Sequence, residues 1–194
     1  MEPILGVVRS ILWRRLDVPG HDAASLREWD GGAELRGMAV FRDEGSPAAL
    51  HYSVRCDAEW RSTEATVDGW CGGRTVELRV RRTHAGGWTL NSVPCAAVAG
   101  CVDLDLSFTP ATNLLPLRRL DLLVGQAAEV RSAWLEWPEA VLTPLIQRYA
   151  RRSITKYDYS ADLPGTAKFV GVLRVEPRGW VLDYAELWQA EPAA

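Results

Sequence analysis

Apolar and polar positions alternate with a period of two along much of this chain. Leu50, Tyr52, Val54 and Cys56 share one parity, and His51, Ser53 and Arg55 the other. Val76, Leu78 and Val80 alternate with Thr75, Glu77, Arg79 and Arg81. Val102, Leu104, Leu106 and Phe108 alternate with Asp103, Asp105 and Ser107. Successive side chains of an extended strand point to opposite faces, so each run predicts a half-buried antiparallel strand. Weaker runs predict strands at 7–17, 33–41, 60–67, 127–137, 140–150, 152–159, 167–175 and 180–188. Gly72-Gly73, Gly86-Gly87, Pro164-Gly165 and Pro177-Arg178-Gly179 punctuate them as turns. Roughly a dozen short strands joined by tight turns is the pattern of an all-β sandwich, barrel or rolled sheet.

One stretch departs from this period. Thr109-Pro110 reads as a helix cap followed by proline at the first helical position. Leu114, Leu115, Leu117 and Leu120 continue at roughly helical spacing, and Pro116 is expected to kink or end the helix. The chain therefore predicts one short, apolar α-helix within 110–120, wrapped by the sheet.

Composition narrows the class. With 194 residues, 47% hydrophobic and 24% charged, the chain suits one globular domain spanning 1–194. No apolar run reaches the ~20 residues of a membrane span. Basic residues number 22 against 25 acidic, a net charge of −3, which argues against the overall basic footprint of a nucleic-acid binder. At the N-terminus, Glu2 and Arg9 interrupt what a secretory signal would need, so a cytoplasmic location is expected. Cys56, Cys71, Cys95 and Cys101 form no Cys-x-x-Cys pair and His21, His51 and His84 are scattered, so free thiols are expected and neither a metal nor another cofactor is.

The densest candidate chemistry lies in GCVDLDLSFTPATN at 100–113. Asp103 and Asp105, two apart on a strand, share a face with backbones roughly 6.5–7 Å apart. At that separation they repel, which raises at least one pKa if water is partly excluded. Such a pair forms either an acidic pocket for sugar hydroxyls, a cation or acid–base work, or a solvated strand face. Arg118, Arg119, Arg148, Arg151 and Arg152 follow, able to clamp a phosphate or to pair internally with the two aspartates. Nine tryptophans can fill a core or line a sugar-binding wall. A glycosidase would need a second carboxylate across the scissile bond, with Glu34 or Asp57 as candidates.

These motifs, with LPLRRL at 115–120, YSVRCDAEW at 52–60, QRYAR at 147–151 and WVLDYAELW at 180–188, resemble the bacterial glycolipid-binding family, formerly a domain-of-unknown-function family. The resemblance is strongest between 100 and 151. It implies a strongly curved antiparallel sheet, a spiral roll or half-barrel wrapped around a single helix and remotely similar in shape to lipoprotein carriers. It also implies a homodimer and an acid-lined pocket. The expected function is non-enzymatic binding of a glycolipid or other sugar-bearing ligand, with a role in glycolipid metabolism. Asp103 and Asp105 would accept hydrogen bonds from hydroxyls, with Asp57 as a further candidate. Arg118 and Arg119 would orient those carboxylates or meet a phosphate, Thr109 and Asn113 would hold the start of the helix, and Gln147 and Tyr149 would add polar contacts. The alternatives are a hydrolase of glycosides or lipid esters using the same carboxyls, and a dimeric structural or interaction module.

Overall fold

The computed structural model describes residues 8–192. The strands in chain order are β1 (Val8–Arg15), β2 (Gly20–Trp29), β3 (Gly32–Asp43), β4 (Ser46–Asp57), β5 (Ser62–Cys71), β6 (Arg74–Arg82), β7 (Trp88–Leu90) and β8 (Val93–Pro94). They continue as β9 (Leu104–Leu106), β10 (Ala127–Glu136), β11 (Val141–Ser153), β12 (Lys156–Asp162), β13 (Phe169–Val175), β14 (Val181–Tyr184) and β15 (Trp188–Ala190). Helix α1 spans Leu114–Leu120 after a 3₁₀ turn at Ala111–Asn113.

These fifteen strands form one sheet, in the order β8-β7-β6-β5-β4-β3-β2-β1-β15-β14-β13-β12-β11-β10-β9. Two meanders thus meet in the middle through β1 and β15, where Trp13 pairs with Ala190 and Arg15 with Trp188. Chain connectivity forces this sheet to curl. Laid flat, its outer strands would lie roughly 65–70 Å apart at ~4.8 Å per strand. Yet β8 and β9 are consecutive in the chain, and the steps from Pro94 to Leu104 reach roughly 36 Å at most. The roll brings the far edge back over the near half: Ser62 N of β5 donates to Val102 O at 3.2 Å, and Leu104 N donates to Ser62 Oγ at 3.0 Å.

The inward face interleaves small residues with large ones such as Leu35, Phe41, Leu50 and Tyr52. Ala24, Ala33, Ala39, Ala48 and Ala65 are all buried there. At Gly37 of β3 the Tyr52 ring from β4 occupies the space that a Cβ would need. Gly37→Ala should therefore displace that ring and lower stability by about 1–3 kcal/mol, measured by urea unfolding. A stability within error of the parent would show that the ring moves freely.

The expected α-helix is present, with two differences. Its first residues form the 3₁₀ turn, whose Ala111 N donates to Thr109 Oγ1 at 3.0 Å. Pro116 neither kinks nor ends it. As the third residue of α1 it falls in the first turn, where amides have no intrahelical acceptor to lose. The helix ends instead at Asp121, left-handed at φ 40°, whose N–H donates to Leu117 O. So short a helix is marginal in isolation. Burial of Leu114, Leu115 and Leu117 inside the roll holds it, with the first two in one core and Leu117 in a second.

Three strand expectations need correction. β9 pairs with β10 in parallel, so the sheet is mixed rather than wholly antiparallel. The 180–188 run divides into β14 and β15 around a turn. Strand β2 was not expected at all, because Asp22 occupies an inward position where alternation calls for an apolar residue. The run at 7–17 contains β1, and its first position, Val7, lies outside the described residues, as does Glu2. No described helix is long and apolar enough to cross a membrane.

Candidate functional site

The 103–113 segment crosses the inside of the roll and anchors two polar networks. β9 is a wall between the two cores. Leu104 and Leu106 face the first, together with Ala133 and Leu135 of β10. Asp105, registered with Trp134, points the other way.

On that side Asp105 Oδ2 accepts from Gln147 Nε2 at 2.7 Å. The same amide nitrogen reaches the Tyr159 hydroxyl at 2.8 Å, and Ser132 Oγ donates to Gln147 Oε1 at 2.6 Å. Both ends of the glutamine are thereby fixed. Tyr149 donates to Asn113 Oδ1 at 2.9 Å, tying β11 to the start of the helix. Around this lies an aromatic group: the Tyr159 ring centroid is 5.0 Å from that of Tyr149, 6.0 Å from Phe169 and 5.4 Å from Tyr184.

Asp103, just before β9, behaves differently. It is fully buried and receives both arms of Arg119, Nε to Oδ1 at 2.9 Å and Nη2 to Oδ2 at 2.6 Å. Its charge is matched within the protein. Asp105 has no cation partner among the described residues. Burial pushes its carboxyl up to about 6, against the pull of the Gln147 bond and with a further push from the Asp103 charge. Asp105 is surrounded by protein on most sides yet remains partly accessible, as does Tyr184. Its Oδ1 has no donor among the described residues, so one carboxyl oxygen is free to accept from outside.

The second network centres on Asp22 of β2. Its Oδ2 accepts from Tyr52 at 2.9 Å and from Thr109, while Oδ1 is buried with no partner among the described residues. Burial pushes Asp22 up to about 6, although the bonds from Thr109 and Tyr52 pull it down.

Of the residues singled out from the sequence, Asp103, Asp105, Arg119, Asn113, Gln147 and Tyr149 come together around the helix. Thr109 belongs to the Asp22 network. Arg118 points elsewhere: it pairs with Glu28, and its guanidinium lies 4.5 Å from the Trp60 ring centroid. With Arg151 and Arg178 it lines a separate cavity of about 230 Å³. Asp57 lies outside the cluster, where its carboxylate accepts from the Glu59 and Arg61 backbone and from Arg61 Nε, so it fastens the β4–β5 turn. Asp22, Tyr52, Ser132, Tyr159 and Tyr184 were not anticipated. For Asp22 the signal was an acid at an inward strand position. For Tyr159 it was the cross-strand pairing with Tyr149, which needs the register of β11 and β12.

Comparison with known proteins adds kinship to this geometry. The model of the family described as "Putative glycolipid-binding" matches residues 10–190. No curated protein matches the chain. Among solved structures, the crystal structure of a DUF1089 family protein from Pseudomonas aeruginosa is similar, with a TM-score of 0.75 and 33% identity. The likeness covers 87% of this chain and 91% of that one.

Proposed function

We propose a ligand-holding, non-enzymatic function, and its premise is kinship: the chain belongs to the glycolipid-binding family. The ligand is a sugar-bearing lipid whose headgroup lies against the partly accessible Phe169 and Tyr184 rings, backed by the buried Tyr149 and Tyr159, and its hydroxyls donate to Asp105. One observation carries this reading. Asp105 is partly accessible, lacks a cation partner among the described residues and keeps an oxygen that none of them donates to. A partly desolvated carboxylate is a strong acceptor for hydroxyls, and the faces of aromatic rings suit the apolar faces of sugars. Fixing Gln147 from three sides means little ordering is left to be done when a ligand arrives. The two acids have different roles, with Asp105 meeting the ligand and Asp103 holding the helix through Arg119.

The test is calorimetry and thermal unfolding with a short-chain alkyl glycoside. Ligand at about 100 times its dissociation constant should stabilise the protein by about 2.7 kcal/mol. Asp105→Asn should weaken binding by about 1.5–3 kcal/mol, the worth of a hydrogen bond to a charged group. Affinity should also fall as the pH drops through about 6, where Asp105 takes up a proton. Undiminished affinity in Asp105→Asn would overturn this site. A raised carboxyl is also what a general acid requires, so glycoside cleavage lost in Asp105→Asn would replace the binding reading with the hydrolase one.

A further inference from the structure

The outer face of β2–β6 carries an ordered array that the ligand site does not use. Strand register sets Arg27, Glu34, Arg55, Glu64 and Arg81 side by side in one row across the five strands. The next row runs Ser25, Arg36, Ser53, Thr66 and Arg79. Five arginines against two glutamates give these rows a charge of +3, in a chain whose net charge is −3. Glu34 lies beneath its neighbours at 5% exposure, bonded to Arg36 at 2.7 Å and Arg55 at 3.3 Å, so guanidinium groups form the outer layer. Arg27 and Arg79 are exposed and have no ion-pair partner among the described residues. The surface here is dished, with a hollow of about 510 Å³ lined by Glu34, Arg36, Arg55, Glu64, Arg79 and Arg81.

Beside the arginines the face turns apolar. In the following row Leu12, Ala23 and Met38 are neighbours, and Val40 comes in the row after that. Leu12, Met38 and Val40 are 44%, 51% and 49% exposed. A second hollow of about 980 Å³, which shares Arg36 with the first, runs along Leu12, Ala23 and Met38. Asp68 and Glu77 bound the patch on the β5 and β6 side, where Asp68 faces His51 at 3.3 Å.

We propose that this face docks on an anionic lipid bilayer. Guanidinium groups bind phosphodiesters through paired donors, and exposed leucine, methionine and valine side chains enter the boundary between headgroups and acyl chains. The charge complementarity selects an anionic surface, and the adjoining apolar row selects a bilayer over a polynucleotide, which offers phosphates and no apolar interior. This proposal stands on the outer face alone, independent of whether Asp105 binds a sugar.

The test is co-sedimentation of the full chain with vesicles of equal parts phosphatidylcholine and phosphatidylglycerol, beside vesicles of phosphatidylcholine alone. The protein should pellet with the anionic vesicles only, and ~1 M salt, where the Debye length is ~3 Å, should release it. Arg27→Glu combined with Arg79→Glu should weaken the partitioning about tenfold or more, and Met38→Asp should weaken it independently. All three positions are exposed. Arg27→Glu faces Glu34 across the strands, a like-charge pairing that costs a little stability. Every variant should remain folded at the assay temperature, checked by its melting curve. A protein left in the supernatant with both vesicles overturns the proposal. Partitioning that survives the double arginine variant overturns it as well. Self-association abolished by Met38→Asp, without vesicle binding, would assign the face to a second copy of the chain and reject the bilayer.

Discussion

Arg119→Ala is expected to destabilise the protein by about 3–5 kcal/mol, the cost of leaving a buried charge without its partner. The partner is Asp103, whose side chain is 1% exposed and whose two oxygens both rest on the Arg119 guanidinium. The damage should be specific to the unmatched charge. Asp103→Asn with Arg119→Met removes both charges at once and should recover most of the loss, because well-packed neutral replacements of buried pairs are often near-neutral. Urea unfolding of the two variants checks this directly. A loss below about 1 kcal/mol in Arg119→Ala, the range of a solvated surface pair, would mean that water reaches Asp103 and that the pair does not brace the helix. The same reasoning makes Asp103 a poor choice for testing ligand contact, since its variants change the fold's stability before they change affinity.

A second large effect concerns pH. Burial raises Asp22 from 3.8 to about 6 in the folded protein, so between those values the folded state holds a proton that the unfolded state releases. Stability from this group is fully present below about pH 3.8 and is lost as the pH rises through about 6. A shift of about 2 units corresponds to roughly 3 kcal/mol. Asp105 acts in the same direction, and its partial accessibility makes its share smaller. Glu34 acts in the opposite direction. Burial pushes it up, but bonds from Arg36, Ser53 and Arg55 together hold it below its usual value, so its contribution is lost at low pH. Comparison with Asp22→Asn isolates the one group. The parent should gain about 3 kcal/mol relative to that variant between about pH 8 and about pH 4, read from urea unfolding at each pH. Parallel curves for the two proteins would show that Asp22 carries its charge without penalty.

Burial sets the size of that penalty, and the orphan Oδ1 of Asp22 leaves it less offset by hydrogen bonds. Thr109 and Tyr52 both donate to the other oxygen, leaving one carboxylate oxygen buried and unpaired among the described residues. The arrangement also fastens the segment before α1 to β2 and β4, so the two networks grip the helix approach from opposite halves of the roll.

Local structure was legible from the chain's own pattern. Alternation at 50–56 and 75–81 marked β4 and β6, because a strand with one buried face must alternate. The leucines of 114–120 marked α1, the spacing of Asp103 and Asp105 marked one side of the inner polar cluster, and the family resemblance implied Arg119 and Gln147 beside them. Tertiary structure decided what local pattern cannot encode. The parallel pairing of β9 and the closure of β1 on β15 join residues distant in sequence, and only the rolled sheet brings them together. Asp103 and Asp105 look alike as i and i+2 on one run. The roll gives Asp103 an arginine and leaves Asp105 with an amide, because the helix that carries Arg119 passes over one and not the other. Asp22 was hidden for a related reason: a buried acid breaks the alternation that reveals a strand, and its partners, Tyr52 and Thr109, come from 30 and 87 residues away.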